Sequence, residues 1–212
     1  MKLDHLSYVS THNQISETVN RIGSQIKTAF VDGGIHPKYG TRNFTAPLLN
    51  GQYIEVVCPM EHPATDSTPF GRAVKQKAES GGGWLTWVIA TEDLSQIENK
   101  LGRKAVLGNR KRPNGLELQW KQIGVLNTLK DYQTPFFIQW ISGDHPSVEG
   151  HPISSISKIN ILGSDSSIKK IFDINIDYGN ADIVWSPPNT DNEETGISSV
   201  NFKVEDLYIE VI

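Results

Sequence analysis

Two side chains able to move a proton or hold a metal ion sit in short alternating segments near the start of the chain. His5 lies in His-Leu-Ser-Tyr-Val-Ser and Glu55 in Gln-Tyr-Ile-Glu-Val-Val. In a strand, successive side chains point to opposite faces. His5, Ser7 and Val9 therefore share one face of the first segment, and Tyr53, Glu55 and Val57 share one face of the other. Leu6, Tyr8, Ile54 and Val56 turn toward a covering helix. Where the two polar faces meet, a carboxylate next to an imidazole raises its pKa and fixes its tautomer, which makes a general base. The competing assignment is a buried structural histidine. Between the two segments runs Gly33-Gly34-Ile35-His36-Pro37, followed by Gly40-Thr41-Arg42-Asn43. Glycine permits close backbone approach and Pro37 stiffens the turn. His36, Thr41 and Asn43 are then expected to present donors at the mouth of a cleft; the alternative is a tight loop with Asn43 bonded to its own backbone.

Other chemistries find less support. No phosphate-loop or dinucleotide fingerprint follows a strand, and no Ser-His-Asp or Cys-His arrangement can be read from the residue order. Cys58 is the only cysteine, so no internal disulfide forms, and a buried apolar thiol is expected rather than a nucleophile. His12, His62, His145 and His151 show no metal-ligand spacing and are read as surface or local hydrogen-bonding groups. Trp120 and Phe137 are candidates for the cleft wall and Arg112 for an anionic ligand, whereas Trp84, Trp87 and Trp140 are read as core. The run Arg110-Lys111-Arg112 beside Pro113 reads as a solvated turn.

The elements that must position these residues repeat along the chain. Gln-Tyr-Ile-Glu-Val-Val at 52–57 is echoed by Leu-Tyr-Ile-Glu-Val-Ile at 207–212. Three starts also correspond, each a strand leading into a helix, at 5–11, 86–97 and 156–172. The first unit takes a strand at 3–10, a helix near 14–28, strands near 43–49 and 52–58, and room for a short strand between. The second takes a strand at 84–90, a helix near 92–101 and strands near 104–107, 116–122 and 135–141. The third takes a strand at 156–162, a helix at 164–173 and strands near 174–177, 181–185, 198–203 and 206–212. Gly81-Gly82-Gly83 and the stretch 143–150 break the units apart. Segment 59–80 reads as a polar connection with a helical turn at 70–79.

Bulk properties bound the partners. At 212 residues the chain can bury a substantial core. A net charge of −4 argues against general affinity for nucleic acid or anionic lipid. The charged start MKLDHLSYVS is not a signal peptide and no segment has the length to span a bilayer. A cytoplasmic protein with a small-molecule ligand is expected.

Asp4-His5, the 33–43 segment, Gly51-Gln-Tyr-Ile-Glu55, Trp87 before Thr91-Glu-Asp-Leu94, Arg112-Pro-Asn-Gly115, Trp120, Pro135-Phe-Phe-Ile-Gln-Trp140 and His145-Pro146 together resemble the glyoxalase-like branch of the vicinal oxygen chelate superfamily. The resemblance covers residues 1–146; residues 151–212 rest on the internal repeat alone. It implies an α+β fold of repeated βαβββ units. Units 1–58 and 82–141 pair into a half-open barrel, and a third, smaller unit at 151–212 packs on that barrel or in an oligomer such as a homodimer. It also implies a cleft where enzymes of the superfamily usually hold a divalent metal ion, with ligands from the first and last strands of each unit. In unit one those positions are His5 and Glu55. In unit two they are read as Thr86 and Gln139, a hydroxyl and an amide where a stronger ligand usually stands. His5 and Glu55 alone are two ligands where a catalytic ion needs three or more; Gln139 or His36 would have to complete the set. Two functions follow. One is a lyase or isomerase acting on a small oxygenated metabolite, with His5 and Glu55 catalytic and His36 and Asn43 stabilising oxyanion charge. The other is a small-molecule-binding protein without turnover. A third reading makes the last unit an assembly surface.

Overall fold

Strand β1 (Lys2–Val9) is buried from Leu3 onward, which requires cover on both of its faces. It pairs in parallel with β4 (Tyr53–Pro59) and antiparallel with β5 (Gly83–Ala90). Strands β2 (Val31–His36) and β3 (Thr41–Pro47) form a hairpin that continues the sheet beyond β4. The second half repeats this plan. There β5 pairs in parallel with β8 (Phe136–Trp140), and β6 (Val106–Lys111) and β7 (Glu117–Ile123) complete the unit. A computed structural model describes residues 1–143, 145–190 and 194–212. Asp144, inside the expected 143–150 break, lies outside them. Among the described residues the strand order β1-β4-β3-β2-β6-β7-β8-β5 closes a barrel. The fold is thus α+β with paired βαβββ units. The barrel closes through a thin seam, the single pair Ile35 with Lys111 between β2 and β6.

Helices cover the outside of the barrel and one of its ends. In α1 (Ile15–Gln25) the apolar residues Ile15, Val19 and Ile22, with Ile26 just beyond, recur every three or four positions and pack on the sheet. Segment 59–80 is more ordered than the sequence suggests, with α2 (Pro63–Ser67) and α3 (Pro69–Glu79). Thr68 caps α3 by accepting the Gly71 N–H at 3.2 Å, and Pro69 fills the first position, where its missing N–H costs nothing. Phe70, Val74 and Ala78 of α3 pack with Val9, Val57, Leu85 and Val88, residues of the barrel interior. Helix α3 therefore stops one end of the barrel and leaves a hollow beyond Phe70. Helices α4 (Ser95–Leu101) and α5 (Val125–Thr128) complete the second unit.

The last part of the chain contains β9 (Ser154–Leu162), α6 (Asp165–Phe172), β10 (Asp182–Ser186), β11 (Gly196–Val204) and β12 (Leu207–Val211). The element order is again βαβββ, but the strand order is β10-β9-β11-β12. Here the first strand pairs in parallel with the strand after the helix, not with the last one. The strand expected at 174–177 is reduced to one bridge between Lys2 and Asp177. This second sheet shares one hydrophobic core with the helix-covered face of the barrel. Phe137 meets Phe172 with ring centroids 4.7 Å apart, and the Trp84 indole N–H donates to the Val211 carbonyl at 3.0 Å. Among the described residues no helix is long and apolar enough to cross a membrane.

Candidate functional site

A β-bulge at Asp4 sets the geometry of the site. The register of β1 against β5 steps from Leu3–Ile89 to His5–Val88, so Asp4 is the extra residue. A bulge re-aims neighbouring side chains, and it brings Asp4 and His5 to the same interior. His5 Nδ1 lies 2.8 Å from Asp4 Oδ2. His145 Nε2 lies 3.0 Å from Asp4 Oδ1, and the Trp140 indole N–H donates to that oxygen at 3.3 Å. The Ser147 backbone N–H donates to His145 Nδ1 at 3.2 Å, which leaves the ring proton on Nε2, facing Asp4. Burial acts to raise the Asp4 pKa. The bonds from His145 and His5 outweigh it and hold this fully buried carboxyl far below its usual range. An ionised carboxylate only accepts, so His5 donates to it from Nδ1 and turns Nε2 away from Asp4. Tyr53 stacks on the imidazole at 4.4 Å and fixes the plane of the ring.

Glu55 faces the same hollow with both oxygens engaged. Ser7 Oγ donates to Oε2 at 2.7 Å and Asn43 Nδ2 donates to Oε1 at 2.7 Å. Burial pushes its pKa up. The fields of His36 and His5 and these two bonds push harder in the other direction, so the carboxyl sits below its ordinary value. His36 Nε2 is 3.8 Å from Glu55 Oε1, and its Nδ1 is 2.9 Å from Thr41 Oγ1. Burial lowers the His36 pKa to about 4, with the Arg110 charge adding to it and Glu55 opposing. His36 is neutral at pH 7.

Tyr39, Phe70, Trp120, Phe136, Ile138 and Trp140 wall the hollow, which holds about 460 Å³ of empty space counting its opening to solvent. The mixture of aromatic walls with a few fixed polar groups is the usual composition of a ligand pocket. Arg110 of β6 also lines it, with only 2% of its surface exposed. Gly33, the bulged residue of β2, makes room for it: a Cβ there would lie 2.7 Å from Arg110 Nη1 and would collide with Asn43 Oδ1.

The donor set does not fit a divalent metal ion. The parallel pairing of β1 with β4 aligns His5 with Tyr53 and Ser7 with Glu55, and that of β5 with β8 aligns Val88 with Phe136 and Ala90 with Ile138. The counterparts of His5 and Glu55 in the second unit are therefore Val88 and Ile138, both hydrocarbon. Both Glu55 oxygens already accept short bonds, and the Arg110 charge occupies the same hollow. Among the described residues no group of three or more His, Cys, Asp or Glu side chains is placed to hold a metal.

Of the residues singled out from sequence, His5, His36, Asn43, Glu55 and Trp120 come together around this hollow. Thr41 is one step removed and braces His36. Thr41 and Asn43 are buried strand residues of β3, not donors on a loop, and the Asn43 amide nitrogen is committed to Glu55. Others lie elsewhere. Gln139 points outward and donates to the Glu92 carbonyl at 2.6 Å, because Ile138 and Trp140 occupy the inward phase of β8. Arg112 forms an ion pair with Glu149 outside the cavity lining. Thr86, taken with Gln139 as the second pair of ligands, bonds the Trp87 carbonyl at 3.2 Å. Phe137 faces the outer core, whereas Trp140, read as core, lines the hollow. Cys58 is fully buried in the outer core, and burial raises its thiol to about 11. Sequence reasoning missed the roles of Asp4, His145 and Arg110. The bulge at Asp4 breaks the alternation rule, and Arg110 and Lys111, read as part of a turn, end strand β6, which aims Arg110 inward.

The fold has relatives of known structure. A hypothetical protein from Staphylococcus aureus superposes with a TM-score of 0.61 at 21% identity, covering 99% of this chain and 84% of that one. Methylmalonyl-CoA epimerase from Mycobacterium tuberculosis gives 0.43 at 12% identity over 66% of this chain and 86% of that one. A variant of the Streptomyces coelicolor methylmalonyl-CoA epimerase, in complex with 2-nitronate-propionyl-CoA, gives 0.42 at 12% identity over 68% and 99%. No curated protein matches the chain. The pattern of the family described as "Glyoxalase-like domain" matches residues 3–168, beyond position 146 where the sequence resemblance stopped. With that match over most of its length and paired βαβββ units beneath it, the chain belongs to the glyoxalase-like domain family of the vicinal oxygen chelate superfamily.

Proposed function

We propose that this protein catalyses proton transfer, of the isomerase or lyase type, at a carbon next to a carbonyl in a small oxygenated metabolite, without a metal ion. The observation that carries this reading is the Asp4–His5 pair, with Nδ1 engaged at 2.8 Å and Nε2 turned away from it. A buried, ionised Asp4 keeps the tautomer and favours the imidazolium that forms when Nε2 takes a proton. Tyr39, whose phenol burial raises to about 12, stays protonated and has no partner for its buried hydroxyl among the described residues. It supplies a donor for the oxygen on which negative charge develops. Glu55 is a fixed anion that sets the field of the hollow and holds Asn43 and Ser7 in place. In this scheme it is not the base.

A second reading, binding without turnover, is favoured by the hydrocarbon of Val88 and Ile138 in the second unit and by the aromatic walls. One experiment separates the two. The protein is incubated in D₂O with a panel of small 2-oxo and 3-oxo acids, and loss of the proton next to the carbonyl is followed by NMR. Exchange that persists in EDTA and falls about a hundredfold or more in His5→Gln is expected for a general base. A compound that binds but never exchanges establishes the second reading, and exchange at the normal rate in His5→Gln removes His5 from the chemistry.

A further inference from the structure

The guanidinium of Arg110 is the group in the hollow whose own needs are least met. Its Nε and Nη2 are buried and have no hydrogen-bond partner among the described residues. No carboxylate forms an ion pair with it within the described residues: the Glu55 oxygens are taken by Ser7 and Asn43, and Glu149 is taken by Arg112. Burying a charge without a partner costs several kcal/mol in general, so such a group persists where something outside the chain completes it. The neighbourhood narrows what that something is. Asn43 Oδ1, also buried and unpartnered, lies against Gly33 beside Arg110 Nη1. A neutral carbonyl oxygen can take one N–H and leaves the rest of the fork open.

We propose that Arg110 recognises a carboxylate on the ligand, and that this protein therefore acts on small monoanionic carboxylic acids. The planar fork of guanidinium donors matches a carboxylate with two parallel hydrogen bonds. Charge balance selects a monoanion. Arg110 is the only Lys or Arg among the described residues lining the hollow, which also contains Glu55 and borders Asp4. A phosphate dianion would bring two negative charges to one guanidinium already in the field of these carboxylates. Arg110 and His5 line the same cavity, so an acid held by the fork presents its neighbouring carbons to the imidazole. The substrate class rests on the proposed proton transfer; the binding role of Arg110 does not.

The test uses the full chain with propionate as probe, propionamide as its neutral isostere and inorganic phosphate as a third arm. Binding is read by the fluorescence of Trp120 and Trp140, both in the cavity wall. Propionate is expected to bind saturably and about tenfold or more tighter than propionamide and phosphate, as for a site built around one buried charge. Arg110→Gln should bring propionate down to the level of propionamide, and Arg110→Lys should recover part of the loss. His5→Gln should keep the propionate affinity, so that lost exchange with intact binding counts against the proton-transfer reading alone. Equal binding of propionate and propionamide by the unaltered protein overturns the proposal and needs no variant that folds. So does undiminished propionate binding in a folded Arg110→Gln, and phosphate binding tighter than propionate overturns the choice of a monoanion.

Discussion

At the scale of single residues, the hollow is a set of ionisable groups held away from their ordinary titration by burial and by one another. His36 offers the cleanest pH signature. The unfolded chain takes up its imidazole proton near 6.5 and the folded protein only near 4. Between those values the unfolded state holds more protons, so stability falls as pH is lowered; above 6.5 His36 is neutral in both states and contributes no slope. From pH 7 to pH 5 this amounts to about 2 kcal/mol. Asp4 and Glu55 work in a lower window. Their folded pKa values lie below the ordinary 3.8 and 4.5, so the stability they confer is present above those values and is lost as pH falls beneath them. Urea denaturation at pH 7 and pH 5 should therefore show the unaltered protein losing about 2 kcal/mol more than His36→Gln. Equal losses would mean that His36 is not held neutral by its surroundings.

At the scale of elements, the site depends on two of the irregularities in the barrel strands. The bulge at Asp4 turns a carboxylate inward behind His5, and the glycines of β2 let that strand approach β6. Gly34 has φ of +91°, and a Cβ there would collide with the Lys111 carbonyl oxygen at the one pair that joins β2 to β6 among the described residues. Gly34→Ala should cost about 2–4 kcal/mol, combining left-handed backbone strain with a clash against a backbone that cannot rotate away. Gly51→Ala is the matched control. Its φ is +69° and nothing lies within 4 Å of the added Cβ, so only the strain of about 1–2 kcal/mol applies. Equal losses in the two variants would show that the seam is not under steric control. Both units were legible as elements from hydrophobic period and glycine breaks. The irregularities were not, because each is one residue long and each violates the alternation used to find strands.

At the scale of the whole molecule, the last sheet is bound to the barrel as structure. Trp84 stacks near Phe202, Trp87 near Tyr178, and Phe137 meets Phe172 edge to face. Ser154 and Tyr8 add hydrogen bonds between the two parts. Exposing Trp84, Trp87 and Phe137 would cost about 1.5–3 kcal/mol each, which together approaches the total of about 5–15 kcal/mol that holds a typical domain folded. Thermal unfolding of the full chain should therefore be a single transition, and a chain ending at Gly150 should bind a hydrophobic dye and lose cooperative melting. Two separate transitions, or a shortened chain that melts like the full one, would show the second sheet to be an independent unit.

By itself the sequence determined the α+β class, the paired βαβββ units, and the placing of His5 and Glu55 on inward-facing strand positions, because side-chain period is a local property of the backbone. It also contained the third βαβββ run, but not the order in which those strands pair. Strand order, the phase that turns Gln139 out and Ile138 in, and the inward turn of Arg110 were decided by tertiary structure. Each depends on which strands lie side by side and where one extra residue is absorbed, and those choices are made by packing across the whole barrel, not by any segment of it.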